Sequence, residues 1–392
     1  MKPSRKQTEV GLIPEDWDVR SIGQMFQLIN GCAFKPQDWK QTGTPIIRIQ
    51  NLNDPYASFN YSQSTVAERN RVEAGDLLFA WSGTIGTSFG ARIWAGPSGV
   101  LNQHIFKVLP DERRITIPFS LLVFARIEED IAKQAHGFKA SFVHVKKSDL
   151  TKVKLPVPPL AEQRAIAEAL SDVDALLGAL DRLIAKKRDL KQAAMQQLLT
   201  GQTRLSGYHA EWKSKMLADM LIYERPDKYI VLSTDYEETG STPVLTANKS
   251  FILGYTNERF GICDNLPAII FDDFTTDSKY VEFPFKVKSS AIKILRARTA
   301  DVNLKFVFER MRLLRHPIGE HKRYYISEYQ NVEILVPELS EQTAIANVLT
   351  DIDMELASLE RRQDKTRALK HGMMQELLTG RTRLVSPESV HA

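Results

Sequence analysis

The sequence predicts a mixed α/β (α+β) protein in which two globular lobes are separated by two long antiparallel coiled-coil helices. Three observations lead to this pseudo-twofold tandem repeat: a segment that occurs twice, an apolar heptad pattern in each copy, and short apolar runs between the copies. At 392 residues, 43% of them hydrophobic and 26% charged, the chain is long enough for two or three folding units.

The internal repeat is the strongest of these observations. Glu162 returns as Glu341, 179 positions later, and this offset holds without a gap across the whole repeated segment. The matched stretches are 160–167 with 339–346, 172–174 with 351–353, and 198–205 with 377–384. Trp17 and Trp212 begin a weaker echo at an offset of 195. The chain is therefore read as variable lobe, shared helix, variable lobe, shared helix.

Each shared segment carries apolar residues at alternating spacings of four and three, which predicts a long helix with a coiled-coil seam. The first seam is Ile166, Leu170, Val173, Leu177, Leu180 and Ile184, and the second is Ile345, Leu349, Ile352, Leu356 and Leu359. Two matched seams in one chain are expected to pack on each other. The other interpretation is that these stripes belong to ordinary core helices.

The helix ends are predicted from local residues. Pro158, Pro159 and Pro337 stop the helices from extending upstream, and Ser340 is expected to cap the second one. Gly201 and Gly380 are expected to end them. Glu162 and Glu341 then lie in the first turn, where the helix dipole favours an acid. Lys187 and Lys191 fall on the extended first seam, where we expect it to loosen or shift register.

The lobes are predicted to contain strands at 44–49, 76–81 and 266–271, with a turn at 82–86. Two segments are strongly basic: 286–323 has eleven Lys and Arg against three acids, and 131–154 has six Lys against one Asp. Such segments suit phosphate contact, the part of DNA affinity that does not depend on sequence. A solvated basic face is the alternative for any single lysine.

Catalytic motifs are not found. The nearest match to an amino-methyltransferase element, at 53–56, lacks one proline, and neither an adenosylmethionine loop nor a phosphate loop is present. A nuclease site could be assembled from Asp227, Asp277 and Lys279, but similar triplets recur elsewhere in this charged sequence. The two cysteines, Cys32 and Cys263, lie far apart and fit a reducing cytoplasm.

The duplicated stretches 155–163 and 334–342, with the opening at 11–17, resemble the DNA specificity subunits of type I restriction–modification systems. The resemblance covers nearly the whole chain in order. It implies target-recognition domains at 1–158 and 204–337, spacer helices at 159–203 and 338–385, and a tail at 386–392. Each domain would read one half of a bipartite, asymmetric site in double-stranded DNA, and the helices would set the unread spacer.

The resemblance also implies partner subunits and a cellular location. Two modification (methyltransferase) subunits would dock on the chain, and restriction (translocase and nuclease) subunits would join them. S-adenosylmethionine, ATP and Mg would reside on those partners, so no cofactor and no metal is expected in this chain. It would be a non-catalytic cytoplasmic protein without a membrane contact. A stand-alone nuclease or methyltransferase with duplicated lobes, and a coiled-coil interaction protein, are the alternatives.

Elements similar to those of known target-recognition domains, together with the basic segments, give the candidate DNA contacts. In the first lobe these are Arg48, Gln50, Asn51, Ser82, Thr84, Asn102, Gln103, Lys139, His144 and Lys146. In the second lobe they are Thr246, Asn248, Lys288, Ser289, Arg296, Arg298, Lys322 and Arg323. Their amide, hydroxyl, imidazole and cationic groups are those that bind base edges and phosphates.

Overall fold

A computed structural model describes residues 4–54, 57–135, 142–246, 250–314 and 323–385. The chain divides into two compact units. The first comprises Met1–Ala179 with Gln363–Ala392, and the second comprises Leu180–Arg362. The predicted tail at 386–392 lies outside the described residues. Each unit thus holds one lobe and a part of both long helices, whereas the predicted segmentation treated the helices as separate domains.

The first unit is built from fourteen described strands and five helices, the last of which continues into the second unit. The strands are β1 Arg5–Thr8, β2 Gly11–Pro14, β3 Asp18–Ser21, β4 Phe26–Asn30, β5 Thr44–Ile47, β6 Asn60–Ser62, β7 Arg71–Val72, β8 Leu77–Ala80, β9 Ser82–Thr84, β10 Gly90–Ile93, β11 Gly99–Leu101, β12 Ile105–Pro110, β13 Phe142–His144 and β14 Lys154–Val157. The helices are α1 Ile22–Met25, α2 Ile49–Asn53, α3 Ile117–Ala135, α4 Lys147–Leu150 and α5 Leu160–Leu198, with 3-10 turns at Pro36–Asp38 and Glu68–Asn70.

Two four-stranded sheets form the centre of the first lobe. One has the order β10-β8-β12-β4 and is antiparallel, and the other has the order β6-β5-β11-β7, in which β11 runs parallel to β5. Helix α3 packs on the first sheet, where Phe79, Phe119 and Phe124 are fully buried. Strand β8 is buried on both faces, because Leu77 and Phe79 belong to the core cluster that includes α3, whereas Leu78 and Ala80 belong to a second cluster.

In its described residues, the second unit contains nine strands and three further helices that begin in it. The strands are β15 Lys213–Met216, β16 Leu221–Glu224, β17 Thr242–Leu245, β18 Ile252–Thr256, β19 Ala268–Asp272, β20 Ser278–Val281, β21 Lys286–Val287, β22 Ile292–Ala297 and β23 Glu333–Val336. The helices are α6 Leu217–Met220, α7 Leu304–Leu313 and α8 Leu339–Leu377, with 3-10 turns at Asp227–Tyr229 and Tyr329–Asn331. Helix α8 continues into the first unit.

The second lobe repeats the sheet plan of the first. Its four-stranded sheet has the order β20-β19-β22-β16, with the same antiparallel pairings as β10-β8-β12-β4. Its smaller sheet, β18-β17-β21, again contains one parallel pair, β17 with β21. The mixed α/β prediction is confirmed, and the lobes share a topology that their sequences do not reveal.

Parts of α5 and α8 lie antiparallel within each unit. In the first unit Asp174 pairs with Lys370 (2.6 Å). In the second unit Lys191 pairs with Asp353 (2.5 Å), and Lys187 pairs with Glu355. Lys191 and Lys370 are 179 positions apart, as are Asp174 and Asp353, so the two units contain equivalent ion pairs.

At Lys187 and Lys191 ion pairs with carboxylates of α8 replace apolar contacts, and the expected loosening of the seam stays a prediction. Three other local expectations were wrong. Ser340 does not cap α8, which begins one residue earlier, where Glu338 accepts the first backbone N–H groups. The predicted strand at 44–49 ends at Ile47 and is followed by α2. The predicted turn at 82–86 begins as strand β9.

None of the helices in the described parts of the chain has the length and apolar character to cross a membrane.

Candidate nucleic-acid interface

In the first lobe, three backbone hydrogen bonds join the ends of separate strands at one place, here called the first junction. Asn102 N–H donates to Ile47 O (3.0 Å), Trp81 N–H donates to His104 O (3.2 Å), and Val145 N–H donates to Trp81 O (2.9 Å). The residues that follow β5, β8, β11 and β13 therefore lie side by side. Loops at strand ends are a common place for binding residues, because the sheet behind them is rigid.

The second lobe contains the same three bonds at a second junction. Lys288 N–H donates to Leu245 O (3.1 Å), Asp273 N–H donates to Ala291 O (3.1 Å), and Tyr324 N–H donates to Asp273 O (2.9 Å). Asp273 thus takes the place that Trp81 has in the first lobe. By the same register, Arg323 corresponds to His144, since each directly precedes the residue that donates to this position.

The first junction gathers most of the candidate contacts of the first lobe. Exposed ones are Gln50, Gln103, His144 and Lys146; half-buried ones are Arg48, Thr84 and Asn102; buried ones are Asn51 and Ser82. The guanidinium of Arg48 lies 4.9 Å from the ring centroid of Trp39. The amide of Gln103 lies 3.2 Å from Nε2 of His104, which limits its orientation. Lys139 lies outside the described residues.

Asn51 has a structural role at this place. It is fully buried. Its Oδ1 accepts the backbone N–H of Arg48 (3.1 Å), and its Nδ2 donates to Ala57 O (3.2 Å). The side chain therefore fixes the chain after β5 and so positions Arg48. Whether Asn51 also contacts DNA stays a prediction.

The second junction carries a different set of candidates. Lys288, Arg298 and Arg323 are exposed, Ser289 and Arg296 are half-buried, and Thr246 is buried. Asn248 and Lys322 lie outside the described residues. The described candidates of the first lobe include four amide side chains, whereas those of the second lobe are mainly cationic. The two junctions therefore present different chemistry on one backbone plan.

Arg296 and Arg298 are held by the protein itself. Nε of Arg296 donates to Glu224 (3.0 Å), and Nε of Arg298 donates to Ala218 O (2.8 Å). Burial alone would raise the pKa of Glu224, but hydrogen bonds from Lys228, Tyr229 and Arg296 outweigh it and lower that pKa. Both arginines thus support the edge of the sheet around β16.

The basic segment 286–323 is less basic in space than along the chain. Five of its cations are paired with acids in the second unit. They are Lys286 with Glu258, Lys293 with Asp273, Arg296 with Glu224, and Lys305 and Arg312 with Glu309. Counting charges along the sequence missed acids that the fold brings in from elsewhere. Contact with phosphate is therefore expected only of the exposed residues of this segment, and no longer of the whole segment.

The duplicated Glu-Gln motif builds the base of each lobe. Glu162 is fully buried; it accepts Trp17 Nε1–H (2.8 Å) and pairs with Arg383 Nε (2.6 Å). Burial alone would lower the pKa of Arg383, but its bonds to Asp16 and Glu162 outweigh this and raise it. The sequence shows that the Thr-Arg-Leu stretch is repeated. It does not show that Arg383 pairs with Glu162, because these two residues lie 221 positions apart.

The second unit contains the equivalent group. Glu341, 2% exposed, accepts Trp212 Nε1–H (3.2 Å) and two bonds from Arg204 (both 2.6 Å). Gln342 accepts the backbone N–H of Asn303 (2.9 Å) and donates to Pro337 O (2.9 Å). The motif thus anchors the lobe to the first turn of a long helix in both units.

Comparison with known proteins agrees with this architecture. A family model described as "Type I restriction modification DNA specificity domain" matches residues 14–186. The putative type I restriction enzyme MjaX specificity subunit of Methanocaldococcus jannaschii is 25% identical, and the match covers 97% of this chain and 96% of that protein. Over nearly its whole length the chain is similar to type I restriction–modification DNA specificity subunits.

Two further type I specificity subunits are similar to this chain, one in sequence over a third of its length and one in fold over nearly all of it. The EcoR124I/EcoR124II specificity subunit of Escherichia coli is 46% identical over 140 residues, a match that spans only 34% of either protein. The crystal structure of the type I restriction–modification S subunit from M. genitalium has a TM-score of 0.62 at 16% identity and covers 96% of this chain and 99% of that one. At that identity the structural likeness establishes the fold alone.

The parts of the chain that the structure describes contain no group of three His, Cys, Asp or Glu side chains that could hold a metal ion. The Asp227 carboxylate of the hypothetical nuclease triplet is paired with Arg225 (2.8 Å). Cys32 and Cys263 are free thiols, and burial raises the pKa of Cys263.

Proposed function

We propose that this chain is the non-catalytic, DNA-reading subunit of a type I restriction–modification complex in the cytoplasm. Each lobe reads one half of a bipartite, asymmetric site in double-stranded DNA. The observation that carries the proposal is the junction: the same three backbone hydrogen bonds occur in both lobes, while the side chains they present differ. A duplicated frame with different side chains suits the reading of two different half-sites.

The exposed and half-buried junction residues divide by chemistry. In the first lobe, Gln103 and Arg48 suit base edges, since an amide pairs with adenine and a guanidinium with guanine. Lys146 suits a phosphate. In the second lobe, Lys288 and Arg323 supply cations, and Ser289 supplies a hydroxyl.

The long helices are proposed to form an antiparallel coiled coil that sets the unread spacer. The equivalent ion pairs Asp174–Lys370 and Lys191–Asp353 support a pseudo-twofold repeat, because each is formed within its own unit at the same repeat positions. Such a repeat presents similar surfaces twice, which suits the docking of two modification subunits. Restriction subunits join that complex, and S-adenosylmethionine, ATP and Mg reside on the partners.

The proposal is tested with the complex of this chain and its modification subunit. The double variant Lys288→Ala, Arg323→Ala should weaken DNA binding and should reduce the slope of log affinity against log salt by up to about two, since each phosphate contact contributes about 0.9. The matched control, Lys213→Ala with Arg361→Ala, removes the same charges from exposed positions outside the junction. Equal effects of both pairs would contradict the assigned interface.

A further inference from the structure

One exposed phenylalanine lies at the second junction, and another lies beside the first. Phe274 is 37% exposed and directly follows Asp273 of the second junction. Phe142 is 62% exposed and lies opposite Thr84 in the pairing of β13 with β9, beside the first junction.

The turn that carries Phe274 is fixed by its own hydrogen bonds. Oδ1 of Asp272 accepts the backbone N–H groups of Phe274 (2.9 Å) and Thr275 (3.0 Å), and Thr276 N–H donates to Asp272 O (3.0 Å). Thr276 has a φ of 58°, in the left-handed region that residues with a Cβ rarely adopt. Such strain persists only where the surroundings determine the conformation, and it is concentrated at functional sites.

A cation lies beside this ring. The guanidinium of Arg323 is 5.7 Å from the ring centroid of Phe274. Arg323 precedes Tyr324, whose backbone N–H is bonded to Asp273 O (2.9 Å). The ring is therefore held beside a group suited to a phosphate or a guanine edge, at the surface proposed to face DNA.

We propose that Phe274 contacts the 5-methyl group of a thymine in the major groove of the second half-site, and that Phe142 does the same in the first. The inference rests on the proposed function. Among the four base pairs, the thymine methyl is the one apolar group on a major-groove edge, and phenylalanine is among the side chains that contact it. Neighbouring cations suit phosphates and base acceptors, whereas a phenyl ring at this place suits an apolar group. Each half-site should accordingly contain a thymine that is read through its methyl group.

Replacing thymine with deoxyuridine removes only that methyl group and gives a direct test. The wild-type complex with its modification subunit should bind DNA with one such replacement in the second half-site about fourfold more weakly, the effect of one buried methylene. The Phe274→Ala complex should bind both DNAs with equal affinity, at the level of the wild type on the deoxyuridine DNA. Phe274→Leu, which keeps an apolar group, should retain part of the discrimination.

Phe283 is the matched control, because it is also 37% exposed but lies beyond the other end of the β19–β20 hairpin. Phe283→Ala should discriminate as the wild type does, and Phe142→Ala should lose discrimination in the first half-site only. Wild-type indifference to deoxyuridine at every position, a half-site without thymine, or full discrimination by Phe274→Ala would each overturn the inference and leave the proposed function standing. If the wild-type complex selected no DNA sequence at all, the proposed function would fall as well.

Discussion

At the scale of single residues, the buried Glu162–Arg383 pair ties the end of the repeat to the first lobe. Glu162 is fully buried, and the Arg383 side chain is 9% exposed. Arg383 also donates to both carboxylate oxygens of Asp16 (2.9 and 2.8 Å). Removal of the guanidinium would leave a carboxylate in a place without water.

We predict that Arg383→Met lowers the free energy of unfolding of the first unit by about 3 to 5 kcal/mol, the usual cost of breaking a buried ion pair by removing one partner. Arg381→Met is the matched control, since Arg381 is 60% exposed and makes one long ion pair with Glu376 (3.4 Å). Chemical denaturation of the full chain measures both. A similar small loss for the two variants would show that the buried pair does not stabilise the unit.

Residue-scale prediction from the sequence succeeded only where a residue acts through local backbone. The first-turn positions of Glu162 and Glu341 were predicted from the prolines that precede them, and α5 and α8 begin where those positions require. The carboxylates' partners were missed, as was the Lys293–Asp273 pair, because these contacts depend on tertiary packing. Trp81 stacks on Phe106 in the first lobe at the place where Asp273 meets Lys293 in the second, and no pattern in the sequence relates a stack to an ion pair.

At the scale of elements, the ends of the two long helices differ in how tightly they are packed. Gly380 and Gly201 both have positive φ, at 63° and 74°. A Cβ on Gly380 would lie 2.5 Å from two carbons of Pro14, whereas a Cβ on Gly201 would lie 3.5 Å from Trp212.

Gly380→Ala should therefore destabilise its unit more than Gly201→Ala destabilises the other. Both variants bear the cost of a left-handed alanine, roughly 1 kcal/mol. Only the first also forces Pro14 to move, which adds about 1 to 3 kcal/mol, the usual cost of overpacking. Thermal and chemical unfolding of the two variants make the comparison. Equal losses would mean that the contact with Pro14 relaxes freely.

Ion pairs hold the two long helices in register within the second unit. Lys191, whose side chain is 13% exposed, meets Asp353. Lys191→Glu should lower stability by about 1 kcal/mol, because it places two acids together, and the second change Asp353→Lys should restore most of that loss. The coupling is measured with a double-mutant cycle. Additive effects would contradict a direct contact.

At the scale of the whole molecule, the helices are proposed to set the distance between the half-sites. An insertion of four residues near Ala185 adds about 6 Å of helix. If the scaffold stays straight, the unread spacer should change by one or two base pairs, at roughly 3.4 Å each. Methylation mapping of the variant complex reads the spacer directly, and an unchanged spacer would contradict the role of the helices as a ruler.

The plan of the molecule was predictable because tandem duplication leaves its trace in the sequence. The heptads at Ile166 and Ile345 and the 179-residue offset predicted the helices. The common topology of the lobes was not predictable, because β8 and β19 carry different residues on the same sheet plan. A backbone hydrogen bond such as that from Asn102 N–H to Ile47 O is compatible with almost any side chain at either position. It therefore leaves no pattern in the sequence.

The most direct test of the central claim is to express this chain with its modification subunit in a host without DNA methylation. Methylated adenines are then mapped by single-molecule sequencing. We expect one split, asymmetric motif, which disappears when this chain is omitted and which is methylated less completely, with its sequence unchanged, in the Lys288→Ala, Arg323→Ala variant. An absence of new methylation while the modification subunit is folded and bound to the chain would contradict the proposal that this chain reads DNA for that subunit.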